Sequence, residues 1–140
     1  MNRPKPRRSQ APVPHAQVAL AVVERGGRYL VCRRARGSHL AGYWEFPGGK
    51  RRPGERWAAC VLRETREELG VDVRIIGELA PVRFRYPDRG VILRPFRCRI
   101  VRGEPAALAG PEIRWVSRAA LRRLTFPPAN QPLLQALRGL

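Results

Sequence analysis

Residues 49–71 read GKRRPGERWAACVLRETREELGV. Gly49, Glu55, Arg63, Glu64, Glu67, Glu68 and Gly70 fall on the spacing G-x5-E-x7-R-E-U-x-E-E-x-G-U, where U is bulky and aliphatic and Val71 supplies the last one. Seven fixed identities coincide by chance on the order of 10⁻⁸ per start position at ordinary residue frequencies. The stretch predicts a helix over Glu55–Leu69. Pro53-Gly54 ends the preceding loop, Gly70 supplies the stop, and Ala58, Val61, Leu62, Thr65 and Leu69 share an inward face. Thr65 replaces the first aliphatic position of the pattern; on that face the change bears on packing and not on chemistry.

Glu64, Glu67 and Glu68 stand at i, i+3 and i+4 and are expected to project together, roughly 120° around the helix from the apolar stripe. The chain has only 11 acidic residues, and these three lie within fourteen residues of one another with Glu55. Arg63 and Arg66 fall toward the other side, which leaves the carboxylates repelling one another. Carboxylate oxygens so grouped are hard ligands suited to Mg²⁺, with Mn²⁺ as a substitute. A charge run by itself is more often a solvated face; the register of Gly49, Glu55, Arg63 and Gly70 reverses that reading. Just upstream, Pro47-Gly48-Gly49 lets backbone approach a metal or phosphate closely. The run PGGK lacks the G-x4-G-K-[ST] spacing and is not a phosphate loop of that type.

Outward from this stretch, QVALAVVE from Gln17, the Gly26-Gly27 turn and RYLVCRR predict a hairpin. Residues 36–54, with five glycines and two prolines, read as one long irregular loop. Strand-like runs at 71–86 and 91–102 flank a turn over Tyr86–Gly90, and a short strand follows at Ile113–Val116. Ser117 caps a small helix, SRAALRRL, and another helix begins after Asn130. Strands on both sides of the central helix imply an α/β fold, a mixed β-sheet flanked by helices as an α/β/α sandwich. Residues 1–15, with four prolines, four cations and no aromatic, read as a disordered basic tail, and 16–140 as one domain.

The net charge is +17, and 28 Lys and Arg include only two lysines. That skew suggests coding bias, and the charge is read as attracting phosphates generally without choosing among them. Nucleic acid is a possible partner but not the expected main one. No apolar run reaches about 18 residues, so no membrane span is expected, and the N-terminus does not read as a secretory signal. Cys32, Cys60 and Cys98 are an odd, widely spaced set, which speaks against a disulfide framework or zinc site and for a cytoplasmic protein. A monomer is expected.

The motif resembles the Nudix box. The flanking residues resemble the MutT-type 8-oxo-dGTP diphosphatase branch of that family: Arg33-Arg34-Ala35, His39, Trp44–Lys50, Tyr86–Arg89, Gly103-Glu104-Pro105, Trp115 and Phe126-Pro127-Pro128-Ala129-Asn130. The similarity runs from about residue 17 to the C-terminus. It implies Mg²⁺-dependent hydrolysis of 8-oxo-dGTP to 8-oxo-dGMP and pyrophosphate, with a water held by metal or glutamate attacking phosphorus in line. By the resemblance, Glu64 is the leading general base, Glu67 and Glu68 are metal ligands, Gly48 gives a carbonyl oxygen to the metal, and Arg63 holds the loop and orients the acids. Gly49 and Glu55 would support the site from behind. Arg34, His39, Glu45, Phe46, Pro47, Gly48, Asp88, Arg89 and Asn130 would contact the nucleotide, Asn130 reading the oxidised base through an amide that donates and accepts.

Bland readings stand beside these: Asn130 as a helix cap, Phe46 as core, His39 as solvated, and Trp44 and Trp115 as structural. Relatives often carry a distal glutamate before the late strand; here AALAGPEIRW leaves Glu112, or Glu104, as substitutes. The alternatives are a Nudix hydrolase of another nucleotide, such as CTP or a modified dNTP, and a non-catalytic module binding nucleic acid.

Overall fold

The computed structural model describes residues 15–139. Eight strands form the sheet system: β1 (His15–Arg25), β2 (Arg28–Arg33), β3 (Trp44–Glu45), β4 (Gly48–Lys50), β5 (Asp72–Glu78), β6 (Val82–Tyr86), β7 (Arg89–Arg102) and β8 (Ile113–Ser117). Helix α1 (Trp57–Leu69) lies between β4 and β5; α2 (Arg118–Leu121), a 3₁₀ turn (Pro128–Asn130) and α3 (Gln131–Arg138) close the chain. Of the tail read over 1–15, residues 1–14 lie outside the described residues, while His15 opens β1 opposite Gly90.

The spine is β1, parallel to β7 over His15–Val23 and Gly90–Cys98. Its sequence VALAVV is apolar almost without interruption, as a strand covered on both faces requires. Alternation then sorts it. Leu20 and Val22 enter a core with α2 and α3, through Leu121, Leu133, Leu134 and Leu137. Ala19, Ala21 and Val23 enter a second core with α1, through Cys60, Val61 and Leu69. The mixed sheet is therefore clad by helices on both faces, as expected.

Several boundaries differ from the sequence reading. The predicted hairpin exists, but β1 and β2 pair only at Glu24–Tyr29 and Arg25–Arg28. Beyond that they diverge, β2 to β3 and β8, β1 to β4 and β7. The run at 71–86 divides into β5 and β6, and the expected five-residue turn tightens to Pro87-Asp88 because Tyr86 pairs with Arg89. The small helix stops at Leu121, although its Ser117 cap forms as expected, Oγ accepting from the Ala120 N–H at 3.1 Å. Helix α1 begins at Trp57, two residues late, because Glu55 is drawn into the loop in front of it. Ala58 is exposed and Cys60 takes its inward place. Thr65 is fully buried; its hydroxyl donates to the Val61 and Leu62 carbonyls, which lets a polar residue stand at an aliphatic position. Gly70 stops the helix at φ 71°.

The largest difference is in residues 36–54. Where one irregular loop was expected, two short strands form, and β4 pairs with β1 through Leu20–Gly48, Ala19–Gly49 and Val18–Lys50. Pro47-Gly48-Gly49 has little intrinsic strand preference; the pairing is imposed by contact with β1. Gly48 sits at φ 151°, and a Cβ there would lie 2.1 Å from the Ala19 carbonyl oxygen. Gly48→Ala is therefore expected to lower stability by at least about 2 kcal/mol, read as a lowered midpoint in denaturant unfolding. An unchanged midpoint would show that β4 can leave β1 freely.

Candidate active site

The close docking of β4 brings the glycines over α1. A Cβ on Gly49 would lie 2.4 Å from the Glu64 carboxyl carbon, so the absent side chain is the space that Glu64 occupies. One residue earlier, the Gly48 N–H donates to Glu68 Oε2 at 3.1 Å. Glu64 in turn lies close enough to Glu68 for its charge to raise the Glu68 carboxyl. Two of the three expected carboxylates thus converge beneath the glycine strand.

The third does not. Glu67 is half exposed and turned to Arg63 Nη1 at 3.2 Å and Arg52 Nη2 at 3.6 Å. Among the described residues no three His, Cys, Asp or Glu side chains form a ready-made metal cage. Equal helical spacing did not give equal placement because arginines compete for the outermost acid.

Arg63 is also placed differently from the helical-angle reading, which put it toward the other side. Its guanidinium returns over the acidic face. Nε and Nη2 fork onto the Glu55 carboxylate at 2.7 and 2.9 Å, Nη1 reaches Glu64 Oε1 at 2.8 Å, and Nη2 donates to the Lys50 carbonyl at 3.1 Å. A helical angle fixes only the Cα–Cβ direction, and the long arm of arginine is free to fold back. Arg66 does point away, to Asp72. Glu55 also accepts from the Arg52 N–H, and Arg63 foremost holds its carboxyl well below the ordinary range, at about 2. One guanidinium ties loop, strand and acids together. An ammonium cannot reproduce that fork. Arg63→Lys is expected to lower kcat by about 10- to 100-fold while circular dichroism stays native; an unchanged kcat would make the network dispensable.

Glu68 is in the opposite electrostatic position. Burial pushes its carboxyl up to about 8; the charges of Glu64 and Glu45 act in the same direction, and only the Gly48 N–H opposes them. No Lys or Arg side chain bonds it among the described residues. A half-buried carboxylate beside two more, lacking a cationic partner, fits a hard divalent cation, and the donors present are all oxygens. Glu64, Glu68, the glycine backbone and, after turning inward, Glu67 are the residues that would hold it.

Beside the acids opens a cleft of about 280 Å³. Val18, Leu20, Val91 and Leu93 line it from the sheet, and Arg34, His39, Glu45, Phe46, Gly48, Arg89 and Asn130 line it from the expected nucleotide-contacting set. Arg34 is held to Glu45 at 2.5 Å and to the His39 carbonyl at 2.6 Å. Burial raises the Glu45 carboxyl above its usual range, and Arg34 works against it. Phe46 is both core and wall, 1% exposed and 5.3 Å from the Phe126 ring.

Asn130 is 7% exposed, and its Oδ1 is buried with no partner. It stands at the N-cap of α3, yet its side chain caps nothing, which removes the helix-cap alternative.

Two residues expected in this set are placed elsewhere. Pro47 is fully buried, and its carbonyl accepts from the Ala21 N–H at 2.7 Å instead of lining the cleft. Asp88 is exposed in the two-residue turn, outside the cleft that Arg89 lines. The substitutes for a distal glutamate differ likewise. Glu104 pairs with Arg25 at the hairpin end of β1, far along the strand from Gly48. Glu112 pairs with Arg33 and Arg114 and lines a separate cavity of about 170 Å³, which it shares with Glu45 and Glu68. Trp44 and Trp115 have structural surroundings, Trp44 at 5% exposure and Trp115 beneath the Arg25 guanidinium at 4.3 Å.

Sequence reasoning missed Tyr86 and Leu40 as cleft residues. The Tyr86 ring meets His39 edge-on at 5.7 Å, and its hydroxyl accepts from the Ala129 N–H at 3.4 Å. The alternation of Phe84 and Tyr86 with exposed Arg83 and Arg85 was the signal that could have placed it. Leu40 is the only non-glycine residue at positive φ among those described, at 55°; nothing in its neighbours announces that.

Comparison with known proteins bears on the family and the fold. The chain is 32% identical over 125 residues to the 8-oxo-dGTP diphosphatase of Escherichia coli K12, covering 89% of this chain and 97% of that protein. It is 32% identical over 124 residues to the CTP pyrophosphohydrolase of the same organism, covering 89% and 92%. The crystal structure of the MutT protein from Methanosarcina mazei Go1 superposes with a TM-score of 0.81 at 25% identity, covering 93% of this chain and 97% of that one. A family model, the NUDIX domain, matches residues 18–136. With the box, the fold and nearly the whole length in agreement, the chain belongs to the Nudix family of hydrolases.

Proposed function

We propose that this protein hydrolyses 8-oxo-dGTP to 8-oxo-dGMP and pyrophosphate with Mg²⁺, clearing an oxidised nucleotide from the precursor pool. The observation that carries the substrate is Asn130: a buried amide on the cleft wall whose Oδ1 has no protein partner. A buried acceptor left open among apolar walls suits a ligand N–H, and oxidation at C8 of guanine turns the acceptor N7 into a donor.

Bound divalent cations would neutralise phosphate oxygens in the transition state. The rest is done by the chain. Glu64 orients the attacking water and takes its proton, Glu68, the Gly48 carbonyl and, once turned inward, Glu67 would hold the metal, and Arg63 keeps Glu64 aimed through Glu55 and Lys50. Arg34 and Arg89 supply positive charge to the nucleotide, while Phe46 and the sheet exclude water from the base. We place this activity in the cytoplasm, in keeping with three free cysteines, and assign it to a monomer. No helix among the described residues is long and apolar enough to cross a membrane.

A CTP-directed reading has its own support in the relative named for that nucleotide, at equal identity. Hydrolysis in parallel with Mg²⁺, read as pyrophosphate release from 8-oxo-dGTP, dGTP and CTP and as AMP release from ADP-ribose, separates them. A kcat/KM for 8-oxo-dGTP far above that for dGTP is expected. Turnover led by CTP would keep the chemistry and discard the role of Asn130. Turnover of none would favour a binding module.

A further inference from the structure

A second cleft lies at the other end of the same two strands. Its volume is about 500 Å³, and it is walled by the Gly26-Gly27 turn with Arg25, Arg28, Arg97, Arg99 and Arg118 against one acid, Glu24. From Leu20, in the base cleft, to Arg25 is five residues of β1, about 17 Å at strand rise, so the two clefts are separate.

The arginines are not equally engaged. Arg97 Nη2 holds Glu24 at 3.0 Å, while its Nε is buried without an acceptor. Arg25 is fixed by Glu104 at 3.0 Å and by stacking on Trp115. The side chains of Arg28 and Arg99 are exposed and enter no hydrogen bond or ion pair among the described residues. Two anchored guanidiniums and two with all donors open, facing one concavity, form an unsaturated set of forks. Guanidinium forks match phosphate oxygens bidentately.

We propose that this cleft binds a small oligophosphate anion, of the tripolyphosphate or pyrophosphate class, independently of the catalytic site. Its shape decides against a nucleic-acid strand. Strand binders need a track of cations interleaved with exposed aromatic platforms; the one aromatic lining this cleft, Tyr29, is 4% exposed. Concave and short, the cleft suits a compact, multiply charged ion.

The test is calorimetric titration of the full chain with inorganic tripolyphosphate, at fixed salt and with divalent cations dialysed away so that phosphate binding at the carboxylates is suppressed. Saturable binding is expected, weakened on the order of tenfold or more in Arg28→Glu/Arg99→Glu. Arg83→Glu/Arg85→Glu imposes the same charge change on exposed residues of β6 and should leave binding within about threefold of wild type. Arg28→Gln/Arg99→Gln, kept native by circular dichroism, should show an intermediate loss and separates binding from folding. Absence of saturable binding overturns the proposal. So does an equal loss in the β6 variant, which would leave only general basicity, or tighter binding of an oligothymidylate of matching charge.

Discussion

Glu64→Gln is expected to lower kcat by about 10³-fold, within the 10² to 10⁴ typical of a positioned general base. That loss corresponds to about 4 kcal/mol of transition-state stabilisation. The fold should survive it. The glutamine carbonyl can still accept from Arg63 Nη1, and the amide fits the space that Gly49 leaves open. Removing one negative charge beside Glu68 also relieves the repulsion that burial makes severe. Steady-state pyrophosphate release and denaturant unfolding, read on the same preparation, check both halves. Near-full activity would move the base elsewhere, and Glu45 would be the next carboxylate to test. Glu68→Gln should be as damaging, by loss of a metal ligand; here the signature is a raised Mg²⁺ requirement, which Glu64→Gln should not show to the same degree.

Asn130→Ala should act on choice instead of rate. The ratio of kcat/KM for 8-oxo-dGTP over dGTP is expected to fall about 10- to 100-fold, since a site built to hydrogen-bond a polar edge loses its discrimination when that partner goes. Hydrolysis of dGTP itself should change little. Stability supplies an independent reading. Most buried amides are tied into the protein, and truncating them leaves partners stranded. The Oδ1 of Asn130 has no partner to strand, so the alanine variant should unfold within about 1 kcal/mol of wild type. An unchanged substrate ratio would return Asn130 to an incidental wall residue.

The elements that could be read from sequence were those whose pattern is local. The α1 stripe, the glycine stop, the Ser117 cap and the apolar β1 each announce themselves within a dozen residues. The strand Gly48–Lys50 does not, because its residues prefer no strand, and only the long-range approach of β1 makes them one. Arg63 and Glu67 show the same limit at the site. Spacing put the three glutamates together and the arginine elsewhere, whereas flexible guanidiniums decided which carboxylates stayed inward. Pro47 and Asp88 were expected in the cleft from the resemblance; they stand next to residues that do line it, and adjacency along a strand or turn alternates in direction. Phe46 and Asn130 offered a bland and a functional reading each; burial showed the first to be core and wall at once, and the missing cap bond dismissed the bland reading of the second.

On this assignment the carboxylates ride on α1 beneath the glycines of β4, while the base-reading amide sits some sixty residues later on a 3₁₀ turn. The two face one cleft, and among the described residues no hydrogen bond ties Asn130 to the acidic network. Drift in the late segment can therefore retune which nucleotide is accepted without disturbing the hydrolytic centre. This separability gives a physical route by which enzymes of equal resemblance to this chain come to bear the names of an oxidised purine and of a pyrimidine.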